Sequence, residues 1–316
     1  MPRLDADLLR AYAPLVTLIV LTLVVGAAAP GFLEPSTLVL LAADTATLFI
    51  MAAGITFIVI LGGIDLSVQS VASLASVVMA VTLPTLGIWC VPLALAVGAF
   101  CGLVSGLAYV RLRIPSFIAT LAVSGIASAA ALIFSGTRSV PMDPTQRATT
   151  FAWITGETLG LPNAIVIALL VLVICLFIER YTTFGRRSIA VGAGEAAALA
   201  AGIRVGQVKV LALVISGTLA ALAGVILAAR LASGSPSLAN EFLLPAVAAV
   251  CVGGTALTGG VGSVARTLVG ALIVSVVRIG MTFVGVDVFA QQIVFGAVLI
   301  LAVAVTIDRS KIPVVK

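Results

Sequence analysis

The residue types that carry most enzyme chemistry are absent or scattered in this sequence. The 316 residues include no histidine, which excludes histidine-activated nucleophiles, histidine metal sites and the HExxH zinc helix. Four cysteines (Cys90, Cys101, Cys175 and Cys251) lie in apolar stretches without CxxC spacing, which predicts small buried hydrophobic side chains. No lysine follows a glycine, so there is no GxxxxGK[ST] phosphate loop. Any nucleotide hydrolysis is therefore expected on another chain.

A break between two apolar runs brings together polar groups that could bind a small molecule. Asp65 follows Gly62-Gly63, and Ser67 and Gln69 come directly after it. An ionisable side chain within an apolar run is costly and marks a functional candidate. Asp65 has two interpretations: a cap whose carboxylate binds the N–H groups near Val68, or a direct contact for the solute.

A second break, residues 253–263, is rich in glycine and offers the hydroxyls of Thr255, Thr258 and Ser263. It lacks the lysine of a phosphate loop, so we expect a close-packed turn near a solute pathway. Asp44 and Arg278 lie nearer the ends of their spans, where an ion pair, snorkelling to the interface or a gate role is expected.

The chain has no series of acidic residues along its apolar segments. Transporters driven by protons or sodium need relays or ion sites of Asp, Glu or His within the membrane. The apolar segments offer mainly hydroxyls, amides and glycines, which suit the passage of an uncharged polyhydroxy solute. The energy for its transport is then expected from another chain.

The composition predicts a membrane protein. Apolar residues make up 62% of the chain and charged residues 9%, against about 45–50% and about 25% in soluble domains. We predict an all-α fold and one transmembrane domain over residues 1–316, with about ten helices, some broken or re-entrant. The predicted spans are 13–30, 38–61, 66–84, 88–110, 115–136, 162–178, 209–230, 243–262, 264–282 and 290–307. The tight joins at Gly62-Gly63 and near Gly262 could each instead be a broken helix with a re-entrant piece.

The basic residues predict the orientation. With the N-terminus in the cytoplasm, thirteen of the 17 Lys and Arg residues lie in inner segments. The other four are Arg138, Arg147, Arg230 and Arg278. Both termini are therefore expected in the cytoplasm. The N-terminal apolar run is long for a cleaved signal peptide, so we expect a retained first helix.

Two loops are too long to be simple turns. They are an inner loop at about 179–209 and an outer loop at about 137–161. Within the inner loop, strong helix formers run from Glu195 to Ala201, with Gly194 suited to the start and Gly202 to the end of a helix. This pattern predicts a short helix on the cytoplasmic side. It is either a docking element for another protein or a surface helix that links two spans.

Residues 190–203 resemble the coupling-helix motif of ABC importer permeases, specifically the family of ribose-type and related sugar permeases. Gly192, Ala197, Ala198, Gly202 and Ile203 match that motif, while Gly194 stands in place of Asn and Ala201 in place of Ser.

Further motifs in the same order are similar to those of this family over about residues 40–308. They are residues 54–57 (GITF), 62–68 (GGIDLSV, with Gln69 where Gly is usual), 114–121 (IPSFIATL), 253–263 (GGTALTGGVGS) and Gln291-Gln292.

The resemblance implies a permease that pairs with a second permease subunit, as a homodimer or a related heterodimer. It also implies two ABC ATPase subunits, which hold ATP and Mg²⁺, and an external solute-binding protein; no cofactor, metal or nucleic acid is expected on this chain. The expected function is ATP-driven import of a monosaccharide or polyol across a bacterial inner membrane by alternating access. The alternatives are an ABC importer for a nucleoside or a furanone-type signalling sugar, and an autonomous secondary transporter.

Three groups of site residues follow from the patterns and the resemblance. The coupling helix comprises Gly192, Gly194, Glu195, Ala197, Ala198, Gly202 and Ile203. The candidate pathway or gate comprises Asp65, Ser67, Gln69, Phe117, Thr120, Thr255 and Thr258. The candidate docking surface for the binding protein comprises Arg138, Asp143, Arg147, Glu157 and Glu241, and Arg230 lies beside it.

Overall fold

The computed structural model describes residues 2–306, and side chains from residue 13 onward except at 288, 289, 299 and 301–306. The last residue of the predicted tenth span, 307, lies outside this description, as do the side chains of the basic residues near both termini. The helices in chain order are α1 Pro2–Ala28, α2 Pro35–Ile60, α3 Val68–Leu86, α4 Cys90–Arg111, α5 Ser116–Ser135, α6 Pro144–Thr150, α7 Ala152–Thr155, α8 Asn163–Tyr181, α9 Thr183–Ala193, α10 Glu195–Ala200, α11 Val205–Leu231, α12 Leu243–Val252, α13 Val264–Phe283 and α14 Val288–Thr306.

Two small antiparallel pairs are the only β-structure in the described range. β1 (Val140–Pro141) pairs with β4 (Ser233–Gly234), and β2 (Glu157–Thr158) pairs with β3 (Leu161–Pro162). Two-residue strands make no sheet core, so the predicted all-α class is confirmed.

Six helical segments of the described chain are long and apolar enough to cross a membrane. They are Pro35–Ile60, Val68–Arg111, Ser116–Ser135, Asn163–Tyr181, Val205–Leu231 and Val264–Phe283. The second holds α3 and α4, which a short 3₁₀ turn at Gly87–Trp89 joins and which pack against each other. Shorter apolar helices cover Ala13–Ala28 and Asn240–Val252. The count of about ten spans stays a prediction.

The eighth predicted span is wrong as a continuous helix. α12 ends at Val252, and residues 253–263 form turns and irregular backbone rather than the second half of a helix ending at 262. Gly254, Gly259 and Gly260 adopt positive φ values of 85°, 86° and 77°, which a right-handed helix does not contain. The predicted span had run through Ala256, Leu257 and Val261, but the glycines between them end the helix, and the turn expected at residues 253–263 is what forms.

The inner loop predicted at about 179–209 is mostly helical. α8 continues to Tyr181, α11 begins at Val205, and α9 and α10 fill much of the space between them. α9 had not been predicted. It begins where the Thr182 hydroxyl accepts a hydrogen bond from the Gly185 amide at 3.3 Å, a standard N-cap.

α11 is the central helix, packed against α2, α3 and α4. Three glycines on α4 allow the backbones of α4 and α11 to come close together. A Cβ at Gly98 would lie 2.4 Å from the Gly217 carbonyl oxygen, and one at Gly102 would lie 2.1 Å from that of Leu213. Gly106 faces the α11 backbone one turn further on. Such rows of small residues permit backbone-to-backbone helix packing in membranes.

The bundle has a clear inside and outside. In α2, 72% of the apolar window is buried, against 28% in α8. The exposed residues of α5 and α8 are themselves apolar, including Ile126, Ile133, Val173 and Phe177. Exposed apolar side chains over whole helix faces indicate contact with lipid or with another membrane subunit.

Candidate coupling and translocation site

α10 is a short helix with a defined start and end. It follows Gly194, whose backbone is extended. At its other end the Ile203 amide donates to the Ala198 carbonyl at 3.0 Å, and the Gly202 amide donates to the Leu199 carbonyl at 2.9 Å. With Gly202 at a φ of 78°, this is a Schellman C-cap. The helix occupies Glu195–Ala200, within a residue of the prediction.

An ion pair fastens α10 to the rest of the molecule. The Lys209 ammonium on α11 lies 2.9 and 2.7 Å from the two carboxylate oxygens of Glu195. The same ammonium lies 4.6 Å from the ring centroid of Tyr109 on α4, within cation–π range. These contacts connect α10 to α4 and α11.

α10 turns small side chains away from the bundle. Ala196, Ala197 and Ala200 are exposed, and Leu199 is 56% exposed, whereas Ala198 is buried against the core. Of the two predicted motif alanines, only Ala197 is therefore accessible to a partner.

The end of α9 rests directly on both glycine-containing breaks. The Gly260 amide donates to the Ile60 carbonyl at 2.8 Å. A Cβ at Gly192 would lie 1.9 Å from that same carbonyl oxygen and 2.4 Å from the Gly260 nitrogen. A Cβ at Gly259 would lie 2.9 Å from both the Gly192 oxygen and the Gly62 nitrogen. We call residues 60–62, 192–193 and 259–260 the glycine junction, where backbones meet without room for side chains.

Asp65 is buried in the first break, with 1% of its surface exposed. Its Oδ1 accepts hydrogen bonds from the Ser67 amide at 2.9 Å and the Ser67 hydroxyl at 2.6 Å. Its Oδ2 accepts one from the Ser216 hydroxyl on α11 at 2.7 Å. The carboxylate thus shapes the turn before α3 and ties it to the central helix.

The first turns of α5 support the same break. The Ser116 hydroxyl accepts a hydrogen bond from the Ile64 amide, and the Thr120 hydroxyl accepts one from the Leu66 amide, each at 3.0 Å. These bonds satisfy backbone donors that the break leaves outside a helix. Ser116 was not among the predicted pathway residues, since its partner lies 52 positions away in the sequence.

The other pathway candidates differ in accessibility. Thr255 is 1% exposed, and its hydroxyl has no hydrogen-bond partner. Thr258 and Phe117 are exposed, while Gln69 is half-buried. The structure therefore places Asp65, Ser67 and Thr120 at the first break, where Asp65 binds Ser67 and Thr120 binds the Leu66 amide. Within the described part of the chain, no side-chain hydrogen bond of Phe117, Gln69 or Thr258 joins them there.

Glu179, at the end of α8, is a connection that sequence reasoning missed. Its carboxylate accepts a hydrogen bond at 2.7 Å from the Val264 amide, the first residue of α13. Glu179 is buried, and its carbonyl would lie 2.0 Å from a Cβ at Gly185 of α9. An acidic residue at the end of an apolar run could have marked Glu179 as a candidate. Its partner could not have been predicted, because Val264 lies 85 positions away.

α10 lies near the start of α11, and the residues proposed for docking lie near its other end, at residues 229–231. We call this end of the molecule the Arg147 end. Arg147 donates from Nε to the Ala229 carbonyl at 2.7 Å and from Nη2 to the Arg230 carbonyl at 3.4 Å. Asp143 caps α6 by accepting from the Gln146 amide at 2.8 Å. Both side chains thus contribute to the local fold.

The other three docking candidates are exposed and could contact a partner protein. Arg138 and Glu157 are exposed, and Glu241 is exposed with a hydrogen bond from Gln292. Nearby, Asp44 pairs with Arg230 at 2.9 Å and with Arg278 at 3.4 Å. Of the alternatives expected for Asp44 and Arg278, the structure shows an ion pair.

The described residues include no group of three or more Cys, Asp or Glu placed to hold a metal ion. The four cysteines are buried and unpaired, which confirms their prediction as small buried side chains.

Comparison with known proteins identifies the family. Residues 37–303 match the family model described as branched-chain amino acid transport system / permease component. The ribose import permease protein of Escherichia coli strain K12 is 35% identical over 92% of this chain and 92% of its own length. A probable ABC transporter permease protein of the same strain is 37% identical over 93% and 88%, respectively. Its L-arabinose transport system permease protein is 35% identical over 83% and 79%.

The family description names amino acids, whereas two of these relatives are named for sugars. The relatives are the more specific guide, because their similarity extends over most of both chains. Together with the apolar helices, they make this a multi-pass inner-membrane transport component. The chain belongs to the matched permease family and, within it, to the ribose-type permease subunits of ABC importers for sugars.

Proposed function

We propose that this chain is the membrane-spanning subunit of an ATP-driven importer that moves a monosaccharide or polyol by alternating access. ATP and Mg²⁺ bind on a separate ATPase, which docks on α10. A second permease subunit completes the pathway, and an external solute-binding protein delivers the solute at the Arg147 end. On this proposal both termini and α10 face the cytoplasm of a bacterium, in agreement with the distribution of Lys and Arg.

The observation that carries the proposal is the path from α10 to the breaks. α10 joins α9 through Gly194 alone, and the last residues of α9 form one side of the glycine junction. The other sides are the end of α2 and the loop after α12, which precede Asp65 and α13 respectively. A displacement of α10 would therefore act on the backbone of both breaks without passing through flexible side chains.

Glu179 offers a parallel connection to α13. Its carboxylate holds the Val264 amide, and its backbone contacts α9 at Gly185. A shift of α9 would change the position of a helix that packs against α1, α2 and α12. Rigid helices linked at short contacts are a common basis for rocking motions in transporters.

The polar groups near the breaks fit an uncharged solute. Asp65 and Glu179 are buried acids, but both carboxylates already hold internal hydrogen bonds. The Ser67 and Ser216 hydroxyls bind Asp65 in the first break, and the Thr255 hydroxyl in the second break has no hydrogen-bond partner among the described residues. The sugars named for two relatives support a monosaccharide over a charged substrate.

The proposal is tested by purifying the permease with its ATPase and measuring solute uptake into proteoliposomes. Ala197→Arg places a bulky cation on the exposed face of α10 and is expected to abolish ATPase binding and ATP-driven uptake. Ala197→Ser, which keeps a small side chain, is expected to retain both. Ala198 is unsuitable for this test because its side chain is buried and a large substitution would disturb packing.

A matched control adds the same charge elsewhere. Ala148→Arg places an arginine on exposed α6 at the Arg147 end and should leave ATPase binding unchanged. Uptake that persists without any ATPase would refute the proposal and favour a secondary transporter.

A further inference from the structure

Two arginines pair with one carboxylate at the Arg147 end, and a third, Arg147, lies beside one of them. Arg230 and Arg278 both pair with Asp44, while Arg147 donates only to the backbone carbonyls of Ala229 and Arg230. Among the described residues, Arg147 has no acidic side chain within ion-pair distance. The three arginines thus have one ion-paired carboxylate among them, and this excess of positive charge suits the cluster to a further anion.

A cavity of about 390 Å³ opens beside this cluster. Arg147 and Arg230 line it together with apolar residues that include Val39, Leu40 and Ile154. Leu40 is 55% exposed, and Ser36, one turn before it on α2, is exposed as well. The cavity therefore combines two guanidinium groups with an apolar wall that continues onto the exposed face of a membrane helix.

We infer that this cavity binds the phosphate of a phospholipid headgroup, with the glycerol and upper acyl region lying along Val39 and Leu40. Guanidinium groups recognise phosphate through charge-assisted hydrogen bonds, and Arg is better suited to this than Lys. Ser36, in the first turn of α2, also lines the cavity, so the cavity reaches the depth of the headgroups while Val39 and Leu40 lie deeper.

The arrangement favours a lipid over a soluble anion or a protein carboxylate. A soluble anion needs no apolar wall, but a lipid does. A carboxylate from a partner protein would likewise not need the apolar residues that line the cavity, among them the buried Ile154. A lipid instead enters past Leu40, at the exposed side of α2.

The test is native mass spectrometry of the full-length permease, titrated separately with phosphatidylglycerol, diacylglycerol and inorganic phosphate. We expect one phosphatidylglycerol to be retained per chain and diacylglycerol, which lacks the phosphate, to be lost. Arg147→Gln should weaken phosphatidylglycerol binding by about tenfold, the effect of losing one charged hydrogen bond. Arg138→Gln removes an exposed arginine at the same end without touching the cavity and should leave binding unchanged.

A second variant guards against misfolding of Arg147→Gln, since Arg147 also holds the end of α11. Leu40→Glu places a carboxylate at the mouth of the cavity and should weaken phosphatidylglycerol binding by at least a similar factor. Leu38→Glu adds the same charge two residues away, at an exposed position that does not line the cavity, and should not. Equal lipid retention in Leu40→Glu and Leu38→Glu would overturn the inference. So would inorganic phosphate that displaces phosphatidylglycerol at equal concentration, because the site would then belong to a soluble anion.

Discussion

Asp65 illustrates how one side chain fixes a break in a membrane helix bundle. Its carboxylate accepts three hydrogen bonds, two from Ser67 and one from Ser216 on the central helix. A buried carboxylate is costly unless donors compensate it, and here both oxygens are compensated. The side chain therefore acts in this state as an internal brace between the turn before α3 and α11. A solute contact at Asp65 would require at least one of these bonds to open.

Replacing Asp65 by Asn should destabilise the protein by about 1–3 kcal/mol. The amide keeps one oxygen acceptor but turns an NH₂ group towards a hydroxyl or amide that donated to the carboxylate. The midpoint of thermal unfolding of the detergent-solubilised protein measures the effect. Asp143→Asn is the matched control: Asp143 is an exposed helix cap, and Asn caps a helix about as well. Equal midpoints for the two variants would contradict the bracing role.

At this scale the sequence identifies single residues better than their partners. Asp65 could be singled out because an acid within an apolar run is unusual. Ser216 could not, because it lies 151 positions away in a helix with other small residues. Glu179 and Lys209 were visible as charges of the inner loop, but their bonds to Val264 and Glu195 depend on tertiary packing.

At the scale of elements, local propensity predicted α10 and failed for α9. The run from Glu195 to Ala201 consists of strong helix formers bounded by glycines, so its helix follows from the sequence. α9 contains Gly185 and Gly192, which disfavour a helix. Both glycines are explained by the contacts of α9, since each lies too close to another backbone segment for a Cβ.

Gly192→Ala should therefore cost about 1–3 kcal/mol and impair ATP-driven uptake beyond the loss of folded protein. Its Cβ would lie 1.9 Å from the Ile60 carbonyl oxygen, which is backbone and cannot rotate away. Relief requires the glycine junction to separate. Thermal unfolding and uptake per folded permease are the two measurements.

Gly194→Ala provides the control two residues further along. Its Cβ would have only the Ala197 methyl near it, at 3.8 Å, and its backbone is extended rather than left-handed. We expect a stability change within about 0.5 kcal/mol. If Gly192→Ala behaved like Gly194→Ala in both measurements, the glycine junction would not transmit motion.

At the scale of the whole molecule, the apolar composition predicted that the chain lies in lipid but not how its helices are arranged. The 62% apolar content and the long runs indicate lipid surroundings. They do not reveal that α11 lies at the centre or that α8 lies at the edge, because both helices are similarly apolar. The distinction lies in those glycines that meet another helix at backbone distance, as Gly98 and Gly102 of α4 meet α11.

Gly102 and Gly125 test this view with substitutions of opposite expected sign. Gly102→Ala would place a Cβ 2.1 Å from the Leu213 carbonyl oxygen and force α4 away from α11, at a cost of about 1–3 kcal/mol. Gly125 on α5 has nothing within 4 Å of an added Cβ and lies in an exposed helix interior, so Gly125→Ala should stabilise by up to about 1 kcal/mol through helix propensity. Thermal unfolding in the same detergent compares them directly. Because both changes add one methyl group to a membrane helix, a uniform effect of added apolar surface would shift both midpoints in the same direction. Opposite shifts would instead show that close approach to α11, rather than apolar content, determines how this bundle is held together.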